Sequence, residues 1–102
     1  MKDSDIEEAA RRFALLSDPT RLRILRTVME RGELPVYAIA EAAGASRFNT
    51  SAHLNRLAAG GLVARRREAS TVYYRLEDQN MPQICESMCD SLRRREEALA
   101  RR

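Results

Sequence analysis

Two cysteines and one histidine are the scarce reactive groups of this chain, and 18 Lys and Arg side chains are its abundant ones. Cys85 and Cys89 stand four residues apart, in the run Cys85-Glu86-Ser87-Met88-Cys89. On a helix that spacing puts both on one face with Cβ atoms about 5–6 Å apart, whereas a disulfide wants roughly 3.5–4.5 Å. A bond between them in an intact helix is strained. Two thiolates meeting at one soft ion have an easier geometry, because metal–sulfur bonds of about 2.3 Å hold the sulfurs farther apart. The pair is therefore a candidate site for a thiophilic metal or metalloid such as As(III). It is also a candidate sensor of oxidants or persulfides, if a bond forms between subunits or the helix partly opens. Plain packing is the third reading, since free cysteine is among the most buried residue types.

The basic residues are unevenly spread. Residues 1–43 carry seven basic and eight acidic side chains, and residues 77–102 carry five and six, so each end has a net charge of −1. Between them, residues 44–76 hold six arginines against the single Glu68, a net charge of +5. Distribution decides whether a surface can hold phosphate, so this middle segment is the polyanion-facing candidate.

The elements that must position these groups follow from periodicity. Ile6, Ala9, Ala10, Phe13 and Leu16 repeat at helical spacing over residues 4–17, with acids in the first turn where the helix dipole favours them. Asp18-Pro19-Thr20 ends this helix, and Asp18 or Thr20 caps a second one over about 21–31, which Gly32 stops. Glu33-Leu34-Pro35 reads as a short link. Val36, Ile39, Ala40 and Ala43 then form a brief third helix up to Gly44, and Ser46 caps a fourth that breaks at Gly60-Gly61. Two short helices around Gly44-Ala45-Ser46 make a helix-turn-helix over about 36–60. Two β-prone runs within 62–76, joined by Glu68-Ala69-Ser70, make a basic hairpin, the wing. A long last helix over about 81–100 presents Met81, Ile84, Cys85, Met88, Leu92 and Leu99 along one stripe. The expected fold is one domain over 1–102, mainly α with a small β-hairpin: a winged helix-turn-helix whose first and last helices pair two copies. Pairing also suits a chain of 102 residues, which exposes much of its surface when alone.

An α-helix fits the major groove of double-stranded DNA, with its N-terminal half on the base edges. Here that half is Ser46, Arg47, Phe48, Asn49, Thr50 and Ser51, which contains no acid to repel phosphate. Asn55 and Arg56 lie further along, nearer the backbone, and the wing residues Arg65, Arg66 and Arg67 suit an adjacent groove or its phosphates.

Three blocks in order carry a resemblance to a known family. They are Ala14-Leu15-Leu16-Ser17-Asp18-Pro19-Thr20-Arg21-Leu22-Arg23-Ile24-Leu25, then Ser51-Ala52-His53-Leu54 with Leu57 and Gly61-Leu62-Val63, then Arg66-Arg67-Glu68 with Val72-Tyr73-Tyr74-Arg75-Leu76. Over residues 10–76 the chain resembles the ArsR/SmtB family of repressors. The resemblance implies a winged-helix homodimer, paired through its first and last helices, that releases operator DNA when an inducer binds. The chain departs from the family at Ala52, where a second histidine is common, and at the wing turn, where Ala69-Ser70 replace glycine followed by arginine. The family's arsenic-type cysteines would fall at Pro35 and Tyr37, which supply no thiolate. Its zinc-type pattern would begin at Asp78 but meets Asn80, Ser91 and Arg94 where ligands belong. His53 reads as structural or DNA-facing.

Enzyme chemistry is excluded by the lack of a triad, a phosphate-cradling glycine loop or a second histidine. No stretch is apolar enough for a signal peptide core or a membrane span, so a cytoplasmic protein with reduced thiols is expected. A constitutive DNA-binding dimer with structural cysteines and a winged-helix module that binds protein remain as alternative readings.

Overall fold

Asp18 accepts a hydrogen bond from the Arg21 backbone N–H at 2.9 Å and so caps the second helix, which places Pro19 in its first turn, where a missing N–H costs nothing. Thr20 lies inside the helix. The computed structural model describes all 102 residues. In chain order it contains α1 (Asp3–Leu15), α2 (Pro19–Arg31), β1 (Leu34–Pro35), α3 (Val36–Ala43), α4 (Arg47–Ala59), β2 (Val63–Glu68), β3 (Thr71–Leu76) and α5 (Met81–Ala100). Five helices, the wing and the helix-turn-helix thus stand where the sequence puts them.

One strand was not foreseen. The link at Leu34–Pro35 is β1, paired antiparallel to β3 through Leu34↔Tyr74 and Pro35↔Tyr73, and the sheet runs β1-β3-β2. Proline tolerates only such an edge position, because it has no N–H to give to a ladder. The hairpin pairs Val63↔Leu76 through Glu68↔Thr71, which leaves a two-residue turn, Ala69-Ser70. Ala69 takes a φ of 53°, so the turn that glycine commonly makes in the family forms here with a strained L-residue.

The core is a single cluster. Ile24, Leu25 and Val28 of α2, Ile39 of α3, Leu54 and Leu57 of α4, and Leu62, Val63, Tyr74 and Met81 are all buried in it. Its composition explains the topology: α2, α3, α4 and the sheet each turn one apolar face inward. The outer helices do not follow that pattern. α1 has no buried residue and α5 has only Met81. Gly44, at φ 69°, ends α3 in the left-handed conformation that starts the turn to α4. A Cβ at Gly60 would collide with Leu15 Cδ1, so glycine there lets α1 lie close against the end of α4. No helix is long and apolar enough to cross a membrane.

Candidate nucleic-acid interface and the α1/α5 trough

The reading end of α4 is fixed from both sides. Ser46 Oγ accepts from the Asn49 N–H at 3.1 Å, the capping bond that sets where the helix begins. The Arg47 guanidinium lies 5.6 Å from the centre of the Tyr37 ring, so α3 supports the first residue of α4 through a cation–π contact. Tyr37 is a support of the candidate site that sequence reasoning missed; nothing in its local pattern distinguishes it from any exposed helical tyrosine. Ser46, Arg47, Phe48 and Asn49 are exposed, and Ser51 is half-buried.

Thr50 does not belong to the reading surface. It is 0% exposed, and its Oγ1 has no hydrogen-bond partner. Thr50, Leu54 and Leu57 follow one another at i, i+4 and i+7, the inward stripe of α4, so the helical period itself turns Thr50 away from any base edge. A buried, unpaired hydroxyl destabilises by about 1–3 kcal/mol. Thr50→Val is therefore expected to raise stability by about 1 kcal/mol in a urea titration while leaving duplex affinity within about twofold. A drop in affinity of tenfold or more would return Thr50 to the interface.

Asn55 is exposed, but its Oδ1 accepts from the Tyr74 hydroxyl at 2.8 Å, which fastens α4 to β3. Arg56 is exposed.

The three wing arginines separate into two kinds. Alternation along β2 places Arg65 and Arg67 on the face shared with buried Val63 and Tyr74, the face turned toward α4, and Arg66 on the other. Arg66 is occupied. Its guanidinium donates to Glu33 at 2.7 Å through Nη2 and to Glu68 at 3.1 Å through Nη1, and lies 4.6 Å from the centre of the Tyr73 ring. Hydrogen bonding from Arg66 holds the Glu33 carboxyl below its ordinary range, and the two carboxylates hold the Arg66 guanidinium above its own. Arg66 is thus a clasp between the wing and the segment before β1 rather than a free phosphate ligand, a correction to its place in the expected set. Glu33 and Tyr73, the other halves of that clasp, were not singled out by sequence because their partner lies 33 and 7 residues away. Arg47, Arg65 and Arg67 are exposed and free of ion pairs within the protomer.

Behind the reading head, buried Arg21 links α1 to α4. It donates to the Leu15 carbonyl and to His53 Nδ1, each at 3.3 Å, and His53 Nε2 stands 3.7 Å from Asp18. His53 is accordingly a structural residue. Asp78 is also structural: it pairs with Arg12 of α1 and caps the Asn80 N–H at 3.0 Å, so it orients α1 against the start of α5.

Both cysteines open onto one apolar trough of ≈ 330 Å³ between α1, α2 and α5, with Phe13, Leu22, Met88 and Leu92 among its walls. Cys85 is half-buried and Cys89 exposed. Burial, and secondarily the neighbouring Cys89, pushes the Cys85 thiol up from its ordinary range. No group of three or more His, Cys, Asp or Glu side chains is arranged to hold a metal within one protomer.

A helix-turn-helix domain family model matches residues 16–66. The nodulation protein NolR of Rhizobium meliloti is 35% identical over 89 residues, which cover 87% of this chain and 72% of NolR. The solution structure of a homodimeric winged helix-turn-helix DNA-binding domain from Mycobacterium bovis, a possible ArsR-family transcriptional regulator, superposes with a TM-score of 0.81. It is 31% identical, and the match covers 96% of this chain and 93% of that one. The chain belongs to the ArsR/SmtB family. The antimony-specific transcriptional repressor AntR has the same fold, with a TM-score of 0.82 at 26% identity over 94% of this chain and 86% of its own. Of three curated relatives, NolR among them, this ArsR-family chain spans 55%, 72% and 65% of the length. Two of these relatives are named as transcriptional regulators, and the family places the chain among regulators rather than enzymes.

Proposed function

We propose that the chain is a homodimeric transcriptional repressor that binds operator DNA through α4 and the wing and leaves it when a thiophilic effector engages Cys85 and Cys89. One observation carries this reading: the protomer exposes unpaired arginines at the head of α4 and along β2, and an unpartnered apolar face on α1 and α5. The first suits a polyanion, and the second suits a second copy of the same chain. In a two-fold dimer paired by α5, the cysteines of both protomers border the seam. One protomer offers two thiols, too few by themselves for a closed soft-metal site, so the partner's thiols would complete the set. A ligand gripping both helices changes their angle, and with it the spacing of two reading heads that must match half-sites about 34 Å apart. Because α1 is tied to α4 through Arg21 and His53, movement at the seam has a direct path to the reading helix.

The test is fluorescence anisotropy of the reduced protein on its own upstream DNA, with and without As(III), Cd(II) and a persulfide donor. Cys85→Ser/Cys89→Ser is expected to bind the duplex within about twofold of wild type and to lose release by the metal ions. Release that survives in the double variant would move the effector site elsewhere and leave the cysteines as packing. Absence of salt-sensitive binding to any duplex would favour the protein-binding module.

A further inference from the structure

We infer that Phe48 selects thymine, its ring packing against the C5-methyl group that thymine carries into the major groove. This rests on the DNA-binding reading above. Phe48 is 83% exposed, more than any other large apolar side chain except the chain-terminal Met1. Of the remaining exposed apolar residues, Ile6 and Leu99 lie on the outer helices α1 and α5, and the others have identified neighbours. Phe13, Leu22, Ile84, Met88 and Leu92 border the α1/α5 trough, and the Tyr37 ring lies beneath Arg47.

Phe48 has no such partner. It lies outside the core cluster and the residues packed on it, at the second position of α4, flanked by exposed Arg47 and Asn49. A protein-docking patch gathers several apolar side chains, whereas this ring stands alone within the segment of net charge +5. Charge complementarity therefore points to a nucleic acid. In the major groove, where the N-terminus of a reading helix lies, the thymine methyl is the apolar group on offer. The backbone that presents the ring is fixed by the Ser46 cap and by Arg47 on Tyr37, and a phenylalanine has only two side-chain torsions to order. Arg47 and Phe48 then form one reading unit, with the guanidinium suited to guanine and the ring to a neighbouring thymine.

The experiment uses a duplex recovered from a randomised pool by the wild-type protein. Each thymine is replaced in turn by deoxyuridine, which removes only the methyl group. Wild type is expected to lose about fourfold in affinity at one thymine per half-site, and about 16-fold when both symmetric positions are changed. Phe48→Ala is expected to bind the parent duplex more weakly by a similar factor, to ignore the uridine substitutions, and to keep its thermal midpoint and its affinity for unrelated duplex. Equal wild-type binding to the parent and to a fully uridine-substituted duplex overturns the inference, and so does a uridine penalty that persists in Phe48→Ala. Failure of the wild type to bind any duplex in a salt-sensitive way is a different result, because it removes the DNA-binding reading itself together with this one.

Discussion

Arg47→Ala/Arg65→Ala/Arg67→Ala is expected to weaken binding to operator DNA by about 10³-fold or more at 0.1 M salt, whereas Arg66→Ala leaves the salt dependence unchanged. The first effect has two sources. Arg65 and Arg67 carry no internal counter-charge and share the face of β2 turned toward α4, so a dimer on DNA would present four such side chains to phosphate. Removing four phosphate contacts flattens the plot of log K against log salt by about 3–4. Arg47, seated on Tyr37 at the head of α4, is expected to contribute base discrimination of about 1–3 kcal/mol in each half-site. Arg66 differs because Glu33 and Glu68 already surround it, and the three side chains together carry a net negative charge. Its loss should loosen the wing, seen as faster amide exchange in β2 and β3, without changing the number of ions released on binding. If Arg66→Ala flattens the salt plot as much as Arg65→Ala does, the division of the wing into clasp and contact is wrong.

That division shows where the sequence was legible and where it was not. Ser46 and Gly44 act on backbone groups within three or four residues, so local spacing placed the cap of α4 and the turn before it; at the start of α2 it left Asp18 and Thr20 open, and Asp18 is the cap. The three wing arginines look alike in a string. They become different only through the register of β2 on β3 and through Glu33, which reaches the wing because β1 pairs with β3. A two-residue strand containing proline has no alternation to read, and without β1 the position of Glu33 beside the wing is not visible. Thr50 was legible, since it shares the period of Leu54 and Leu57, but its polar type outweighed its position. The turn at Ala69 is the reverse case: an L-residue in place of glycine disfavours a tight turn, yet pairing of six residues on each strand holds one despite the left-handed φ. The link from Arg21 to His53 spans 32 residues and a helix pair, beyond any local pattern.

Phe13→Glu/Met88→Glu is expected to convert a dimer into a folded monomer and to lower operator affinity by at least about 10²-fold. Phe13 is 59% exposed and Met88 57% exposed in the protomer, so neither supports the core, and circular dichroism and the thermal midpoint of the protomer should change little. In the dimer the same positions would be covered, and each carboxylate taken out of water without a partner costs several kcal/mol. Four such groups per dimer are expected to outweigh the apolar seam. The loss of DNA affinity follows without any change at α4, because two linked heads gain from effective concentration and a single head does not. Sedimentation equilibrium of both proteins, followed by anisotropy on the operator, separates the contributions. A wild type that is monomeric at micromolar concentration, or a double variant that still sediments as a dimer, would place the pairing surface somewhere other than α1 and α5. The cysteines would then face solvent instead of a seam, and a site completed by the partner's thiols would have no geometric basis.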